Sequence, residues 1–282
     1  NLIWRRWAIR PATVAVFKLN DEVAVVTGAL GRLGPVWVEA LLDAGARVVA
    51  VDLPDAVSST AFEAVSNRAP ASRLLRVHCD ITNRQMILSA LEEIRTVLGV
   101  PSILVNNAGI DQPPDKPDDR YKAADFPVDV FRRMVDVNIT GTFLSTQVFG
   151  SEMADRKRGS IINIGSLYAS VSPDQHFYDH LSGDPQFLKM PSYGASKAAV
   201  VNLTKYFSTL WGDRGVRVNA LSPGGVKAGQ DEMFVKKYSQ RVPLGRMAEA
   251  GDLRGPLVFL ASDAAAYITG INLRVDGGFT AW

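Results

Sequence analysis

The stretch that decides the fold is Val23-Ala24-Val25-Val26-Thr27-Gly28-Ala29-Leu30-Gly31-Arg32-Leu33-Gly34. Its first five residues form a β-branched, largely apolar run, which predicts a buried strand. A glycine-rich turn follows, and a helical pattern begins directly after it. Such a junction places backbone N–H groups and a helix N-terminus where a dinucleotide pyrophosphate can bind. Taken alone, the turn is equally compatible with a tight strand-to-helix connection.

The same alternation of strand and helix patterns continues along the chain. Strands are predicted at residues 23–27, 47–52, 74–79, 103–106, 160–164, 217–221 and 272–275. Helical patterns occupy residues such as 34–44, 84–98, 128–155 and 193–214. Near-continuous apolar strands separated by helices predict an α/β, doubly wound fold, with a mainly parallel seven-stranded sheet and helices on both faces.

No linker or repeat divides residues 19–282, which are therefore interpreted as one domain. Residues 1–18 differ from the rest, because they combine three arginines and two tryptophans with a short apolar run. We interpret them as an N-terminal extension, either an arm that packs on a neighbouring subunit or a non-native or poorly ordered leader.

Composition excludes several function classes. The 31 basic and 29 acidic residues leave a net charge of +2, which gives no reason to expect nucleic acid or an anionic membrane as a partner. No apolar run approaches the roughly 18 residues that span a bilayer. The one cysteine, Cys79, cannot form an internal disulfide, so a cytoplasmic location is expected. The three histidines lack metal-ligand spacing, and no metal is predicted.

Two further patterns carry chemistry. Asp52 ends the second predicted strand, 18 residues after Gly34, where a carboxylate can accept hydrogen bonds from a ribose. With the glycine turn, it indicates a nicotinamide or flavin dinucleotide. Tyr193 and Lys197 share a helix face at a spacing of four residues, and a nearby ammonium favours the phenolate, which lowers a tyrosine pKa from about 10. That pair predicts acid/base work on an alcohol or carbonyl.

With these motifs, the chain resembles the short-chain dehydrogenase/reductase family over residues 19 to 282. The matching motifs, in the family order, are 27–34, Asn106-Asn107-Ala108-Gly109, Asn138, Ser166, Tyr193, Lys197, 219–224 and 275–278. The resemblance implies a Rossmann fold and an NAD(H)-dependent oxidoreductase that interconverts a secondary alcohol and a ketone.

The resemblance also implies a catalytic set of four residues. Tyr193 is expected as the general acid/base, with Lys197 lowering its pKa and holding the nicotinamide ribose. Ser166 is expected to hydrogen-bond the substrate oxygen. Asn138 is expected to hold a water that links Lys197 to solvent.

The expected cofactor-binding residues are Gly28, Gly31, Arg32, Leu33, Asp52, Asp80, Ile81, Asn106, Ala108, Gly109, Tyr193, Lys197 and Val226. Asp80 would bind the adenine amino group and Val226 would lie near the carboxamide. Because Asp52 would repel a 2′-phosphate, NAD is expected rather than NADP. Two positions depart from the family: Arg32 replaces a usual glycine, and Ala228 replaces a usual threonine.

The substrate is less well defined. The segment between Ser166 and Tyr193 is unusually long and rich in hydrogen-bonding side chains, which favours a polar or sugar-like small molecule; a solvated surface loop is the other interpretation. A 3-oxoacyl-thioester reductase-like enzyme and a catalytically silent nucleotide-binding regulator are the alternative functions. The resemblance further implies a homotetramer or homodimer, with Phe279 and Trp282 covered by a neighbour.

Overall fold

Seven parallel strands form one sheet in the computed structural model, which describes residues 15–111 and 120–282. The strands are β1 Val23–Thr27, β2 Arg47–Asp52, β3 Leu74–His78, β4 Ile103–Asn106, β5 Gly159–Ile164, β6 Val216–Pro223 and β7 Asn272–Val275. Their order across the sheet is β3-β2-β1-β4-β5-β6-β7. The predicted doubly wound α/β architecture is therefore confirmed. Of the predicted extension, residues 1–14 lie outside the described residues, and Ala15–Phe17 form a single 3-10 turn.

Helices cover both faces of the sheet. In the described ranges they are α1 Gly34–Asp43, α2 Thr60–Arg68, α3 Arg84–Val97, α4 Val128–Val135, α5 Thr142–Asp155, α6 Pro191–Trp211, α7 Glu232–Arg241 and α8 Arg254–Ala261. One core cluster joins the sheet to α1, α2 and α8, and a second joins it to α3, α5 and α6.

The residues of β1 show why its sequence is apolar throughout. Ala24 and Val26 belong to the first cluster, whereas Val23 and Val25 belong to the second. Successive side chains of a strand point to opposite faces of a sheet, so a strand covered on both sides needs apolar residues at every position.

Two predicted helices differ in detail from those observed. The pattern at residues 128–155 is interrupted by a π-helical turn, Asp136–Gly141, which separates α4 from α5. The helix predicted from residue 193 begins at Pro191, because a proline at the first helical position lacks only an N–H that would be unbonded anyway. The π turn carries Asn138, one of the four predicted catalytic residues.

The order of the strands places a crevice at the carboxyl ends of β1 and β4. From β1 the chain proceeds outwards to β2 and β3, and from β4 it proceeds in the opposite direction. Ligands of doubly wound sheets bind where the order reverses in this way. Gly28 follows β1 here with a φ of +63°, and a Cβ at this position would lie 2.7 Å from the Ala108 Cα. Only glycine lets these two turns approach so closely.

Candidate active site

A cleft of about 980 Å³ opens at the carboxyl ends of the strands. Most of the predicted site residues line it: Gly28, Gly31, Arg32, Leu33, Asp52, Asp80, Ile81, Ala108, Gly109, Ser166, Tyr193, Lys197 and Val226. Asn106 and Asn138 do not. Residues separated by up to about two hundred positions in the sequence thus share one surface.

Asp52 is held rigidly at the end of β2. Its Oδ2 accepts a hydrogen bond from the Leu30 N–H at 2.8 Å, and its Oδ1 accepts one from the Leu53 N–H at 2.9 Å. Each carboxylate oxygen has a second lone-pair site, which a ribose hydroxyl can use.

The glycine turn is open towards the same cleft. A Cβ on Gly31 would meet only the Gly28 carbonyl oxygen, at 3.5 Å, and Arg32 beside it is exposed. An open turn at the start of α1, with a fixed carboxylate on the neighbouring strand, fits a dinucleotide.

Asn107 is a residue of this end that the sequence analysis did not assign individually. Its Nδ2 donates to the carbonyls of Gly28 at 2.8 Å and Thr27 at 3.0 Å, while its Oδ1 accepts from the Trp37 indole N–H at 2.7 Å. The side chain therefore ties the turn after β4 to the glycine turn and to α1. A buried tryptophan such as Trp37 needs a hydrogen-bond acceptor for its indole N–H, but the sequence does not indicate which residue provides it.

Asn106 was expected to bind the cofactor, yet its side chain lies in the core. Its Nδ2 donates to Asn163 Oδ1 and to Thr146 Oγ1, both at 2.8 Å. The amide therefore joins β4 to β5 and α5 instead of facing the cleft.

Asp80 and Ile81 line the cleft beyond β3. Asp80 Oδ1 accepts hydrogen bonds from the N–H and the hydroxyl of Thr82, both at 2.8 Å. This local turn fixes the carboxylate that the family resemblance predicts to bind the adenine amino group. Ile81 is buried beside it.

The predicted catalytic residues converge at β5 and α6. Ser166 follows β5, and its Oγ accepts a hydrogen bond from the Tyr168 N–H at 3.2 Å. Tyr193 is half-buried in the first turn of α6, and Lys197 lies one turn later. The Lys197 ammonium is 5.8 Å from the centroid of the Tyr193 ring and donates to the Ile164 carbonyl at 2.8 Å.

The electrostatics of this group differ from the expectation. Burial raises the pKa of Tyr193, the charge of Asp111 raises it further, and hydrogen bonding with Ser166 acts in the opposite direction. The net pKa shift of Tyr193 is upward, because burial disfavours the phenolate and the hydrogen bond with Ser166 does not offset this effect. Burial also lowers the pKa of Lys197 to about 8, against an opposing effect of Asp111.

Asn138 lies behind the cleft wall. A Cβ on Gly109 would lie 3.1 Å from Asn138 Oδ1 and 3.6 Å from Lys197 Nζ, so the asparagine and the lysine flank the same glycine. The Asn138 Nδ2 donates to Ser196 Oγ at 3.0 Å, and the Ser196 hydroxyl donates to the Tyr193 carbonyl at 2.7 Å. Asn138 is thus connected to the first turn of α6.

The long segment before α6 is not simply a solvated loop. Its aromatic residues join an apolar cluster with α7 and the C-terminal turn, whose buried members are Leu167, Phe177, Tyr178, Phe187, Phe234, Tyr238, Val242, Met247 and Phe279. Tyr178, Leu181 and Lys189 reach the cleft. Burial raises the pKa of Tyr178 to about 12.

The polar side chains expected to bind the substrate mostly point elsewhere. His180 Nε2 lies 2.8 Å from Asp231 Oδ1 at the start of α7, and Asp179 forms an ion pair with Lys237. His176 is exposed. The hydrogen-bonding side chains of residues 174–180 belong to Asp174, Gln175, His176, Tyr178, Asp179 and His180. Of these six, Tyr178 is the one that lines the cleft.

Gln230 braces the loop that contains Ala228. Its Oε1 accepts from the Ala228 N–H at 2.7 Å, and its Nε2 donates to the Val226 carbonyl at 3.0 Å. One side chain therefore closes the loop after β6, which lines the cleft. Sequence reasoning did not identify this residue.

Within residues 15–111 and 120–282, no three His, Cys, Asp or Glu residues are grouped so that they could hold a metal ion. Over the same residues, no helix has both the length and the apolar character needed to cross a membrane.

Known proteins resemble the chain over nearly its full length. The profile of the family described as enoyl-(acyl carrier protein) reductase matches residues 28–280. A galactitol 2-dehydrogenase (L-tagatose-forming) of Cereibacter sphaeroides is 34% identical, covering 95% of this chain and 98% of that protein. An NAD-dependent glycerol dehydrogenase of Listeria innocua is 33% identical, covering 94% and 96%.

Solved structures share the fold. A gluconate 5-dehydrogenase from Burkholderia cenocepacia, in complex with NADP and tartrate, superposes with a TM-score of 0.82 at 27% identity, covering 96% of this chain and 100% of that one. The profile match, the full-length relatives and the seven-stranded sheet agree. The chain belongs to the short-chain dehydrogenase/reductase family, the NAD(P)-dependent oxidoreductases that act on CH–OH groups.

Proposed function

We propose that the protein is an NAD(H)-dependent dehydrogenase that interconverts a secondary alcohol and a ketone on a polyol or sugar-like substrate. The observation that carries the proposal is a single cleft with Asp52 at one strand end and Ser166, Tyr193 and Lys197 at another. In the sheet, β5 is the third strand from β2. At about 4.8 Å between strands, that spacing suits an extended dinucleotide.

The side chains support acid/base catalysis on one oxygen. During oxidation, Tyr193 in its phenolate form accepts the proton of the substrate hydroxyl, and Ser166 donates a hydrogen bond to the same oxygen. When bound, the nicotinamide supplies the acceptor for the hydride that leaves the carbinol carbon. In reduction, Tyr193 returns the proton, and its raised pKa keeps the phenol protonated and ready to do so.

Asp52 supports NAD rather than NADP. A 2′-phosphate at the ribose would place an anion beside a carboxylate that two backbone N–H groups hold in position. The relatives differ in this respect, since one is named NAD-dependent and another was solved with NADP. Arg32, which is exposed in the cleft, is the group that would favour NADP.

The polar substrate is supported by the relatives and by the lining of the cleft. Galactitol and glycerol are the substrates in the names of the two relatives. The charged or amide-bearing side chains Asp111, Lys189, Gln230 and Asp231 all line the cleft. A 3-oxoacyl thioester is the second candidate substrate, because the description of the matching family is enoyl-(acyl carrier protein) reductase.

A substrate panel tests the proposal. Purified protein is assayed with NAD against galactitol, threitol, glycerol and sorbitol, and with NADH against matched ketoses and a 3-oxoacyl thioester. We expect at least one polyol to be oxidised, with activity absent from Tyr193→Phe. A kcat/KM for the thioester more than tenfold above that for every polyol and ketose would overturn the assignment.

We further propose that the chain forms a homodimer or homotetramer in the cytoplasm. Phe279 is 5% exposed, because it stacks on Tyr238 within the same chain, whereas Trp282 is 71% exposed and open to coverage by a neighbour. Light scattering at micromolar concentration checks the assembly, and a monomer would contradict it. The single cysteine supports the compartment.

A further inference from the structure

Lys189 is a buried cation that the family motifs do not include. Its side chain is 5% exposed and its Nζ lies 2.7 Å from Asp111 Oδ2, whereas the Asp111 side chain is 41% exposed. Lysine is almost never buried without a partner, because removing an ammonium from water is costly. A buried ion pair is also weak evidence for stability. Because stability does not explain why Lys189 is buried, we consider a role of this residue in binding.

The position of Lys189 is built into the long segment. The Gln175 side chain accepts from the Lys189 N–H at 3.0 Å and donates to the Lys189 carbonyl at 3.3 Å. Phe187 and Met190, on either side of the lysine, are buried. The backbone of Lys189 is therefore fixed by two hydrogen bonds with Gln175, and the chain around it is anchored in the core by Phe187 and Met190.

The ion pair lies beside the reacting group. Lys189 Nζ is 5.6 Å from the centroid of the Tyr193 ring, and both residues line the cleft with Asp111 and Ser166. Asp111 reaches this place because it follows the turn after β4, next to β5 in the sheet. A substrate whose oxygen contacts Tyr193 would therefore extend its adjoining carbons towards the pair.

The chemistry of the pair matches a hydroxyl group. A hydroxyl donates one hydrogen bond and accepts others, whereas a carboxylate only accepts and an ammonium only donates. Asp111 and Lys189 together offer one group of each kind and have no net charge. A substrate carboxylate at this place would meet Asp111 first, because the Lys189 side chain is buried and the Asp111 side chain is exposed, and like charges repel.

We propose that Asp111 and Lys189 form a subsite that binds a substrate hydroxyl close to the reacting carbon and selects uncharged polyols over sugar acids. This inference rests on the proposed function and deepens it. Asp111 accepts the hydrogen bond of that hydroxyl, and the ion pair with Lys189 holds the Asp111 carboxylate in place. The long segment between Ser166 and Tyr193 then contributes to substrate specificity by carrying Lys189.

Matched substrates test the selection without any variant. Galactitol and galactonate differ by a terminal carboxylate, and we expect wild-type kcat/KM to be at least tenfold higher for galactitol. If another polyol of the panel reacts faster, that polyol and its aldonate are used. Equal or better use of the aldonate by the wild type contradicts the subsite.

The variant Asp111→Asn tests whether Asp111 and Lys189 cause this preference for polyols. This substitution keeps the size of an accessible side chain and removes its charge. We expect kcat/KM for the polyol to fall at least tenfold, mainly through KM, and the aldonate-to-polyol ratio to rise at least tenfold. Lys189→Met should also weaken polyol binding. KM for NAD should stay within twofold in both variants.

Asp179→Asn and Lys237→Met are the matched controls. These residues form a Lys–Asp ion pair between the same segment and α7, and neither lines the cleft. Thermal unfolding of all four variants verifies that they are folded. An unchanged ratio in folded Asp111→Asn overturns the subsite and leaves the proposed function intact, whereas a wild type inactive on every polyol overturns both.

Discussion

Asn138 and Ile110 exchange two hydrogen bonds across the wall of the active site. The Ile110 N–H donates to Asn138 Oδ1 at 2.8 Å, and Asn138 Nδ2 donates to the Ile110 carbonyl at 3.0 Å. The π-helical turn that carries the asparagine is thereby fixed to the segment after β4. That segment continues into Asp111. The Asn138 side chain is therefore bonded both to α6, through Ser196, and to the residue that precedes Asp111.

Removing the Asn138 amide should weaken both stability and turnover. In Asn138→Ala the N–H and carbonyl of Ile110 lose their partner, and each buried group left unbonded costs about 1–3 kcal/mol. We expect the free energy of unfolding in urea to fall by about 2 kcal/mol or more and kcat to fall at least tenfold. Asn67→Ala, at an exposed position of α2, should change neither quantity appreciably. Full activity in a destabilised Asn138→Ala would limit the residue to a structural role.

Tyr193→Phe should abolish turnover while leaving cofactor affinity nearly unchanged, because only the proton-transferring hydroxyl is lost. General acid/base groups contribute about 10²- to 10⁴-fold to rates. The measurement is kcat together with Kd for NADH from fluorescence titration. Tyr206→Phe, at an exposed position of the same helix, is the control. A variant that keeps a tenth or more of wild-type kcat, a loss under about 1.4 kcal/mol, would show that the acid/base assignment is wrong.

Lys197 should set the alkaline limit of carbonyl reduction. Burial lowers its pKa to about 8, so the ammonium is present below that pH and is lost as the pH rises through it. The pKa of Tyr193 is raised, so the phenol stays protonated over the same range. We therefore expect kcat/KM for the ketone to be constant at low pH and to fall above about pH 8.

A charge-conserving variant separates Lys197 from other titrating groups. In Lys197→Arg the guanidinium stays charged, so the decline should move at least one pH unit higher, whatever the absolute activity. The exposed Lys205→Arg on the same helix should keep the wild-type profile. A decline at the same pH in Lys197→Arg and in wild type would assign it to another group.

Asp52 should give NAD an advantage of at least tenfold in kcat/KM over NADP, about 1.4 kcal/mol. Asp52→Ala should reduce this ratio, since the carboxylate that repels a 2′-phosphate is gone. The variant also loses hydrogen bonds to the N–H groups of Leu30 and Leu53, so its thermal stability is measured in parallel. Asp55→Ala, an exposed neighbour outside the cleft lining, is the control. Better use of NADP by the wild type would indicate that Arg32 governs the ribose pocket.

Phe187→Ala should destabilise the segment that carries Lys189. The ring is fully buried with its centroid 5.0 Å from that of Tyr178, and a phenylalanine cavity costs about 3–5 kcal/mol. We expect a loss of that size in urea unfolding and a higher KM for the alcohol, with KM for NAD unchanged. Phe17→Ala, at a partly exposed position, should cost about 1 kcal/mol or less. A loss no larger than that in Phe187→Ala would mean that the segment is held by other contacts.

The sequence by itself determined the sheet and much of the cleft. Apolar runs that alternate with helical patterns define a parallel sheet covered on both faces, and the strand ends of such a sheet meet at one edge. Motifs at strand ends, such as those at Gly28, Asp52 and Ser166, could therefore be assigned to one site from the sequence alone.

Only the tertiary structure decided which side chains face the cleft and what their environment does to them. Asn106 and Asn107 are neighbours of the same type, yet one lies in the core and the other holds the glycine turn. The direction of the pKa shift of Tyr193 depends on burial, and the pairing of Lys189 with Asp111 joins residues 78 positions apart. Burial and long-range contacts follow from how elements pack, and local sequence does not encode them. For that physical reason the position of Tyr193 in the cleft could be predicted from the sequence, whereas the charged pair beside it could not.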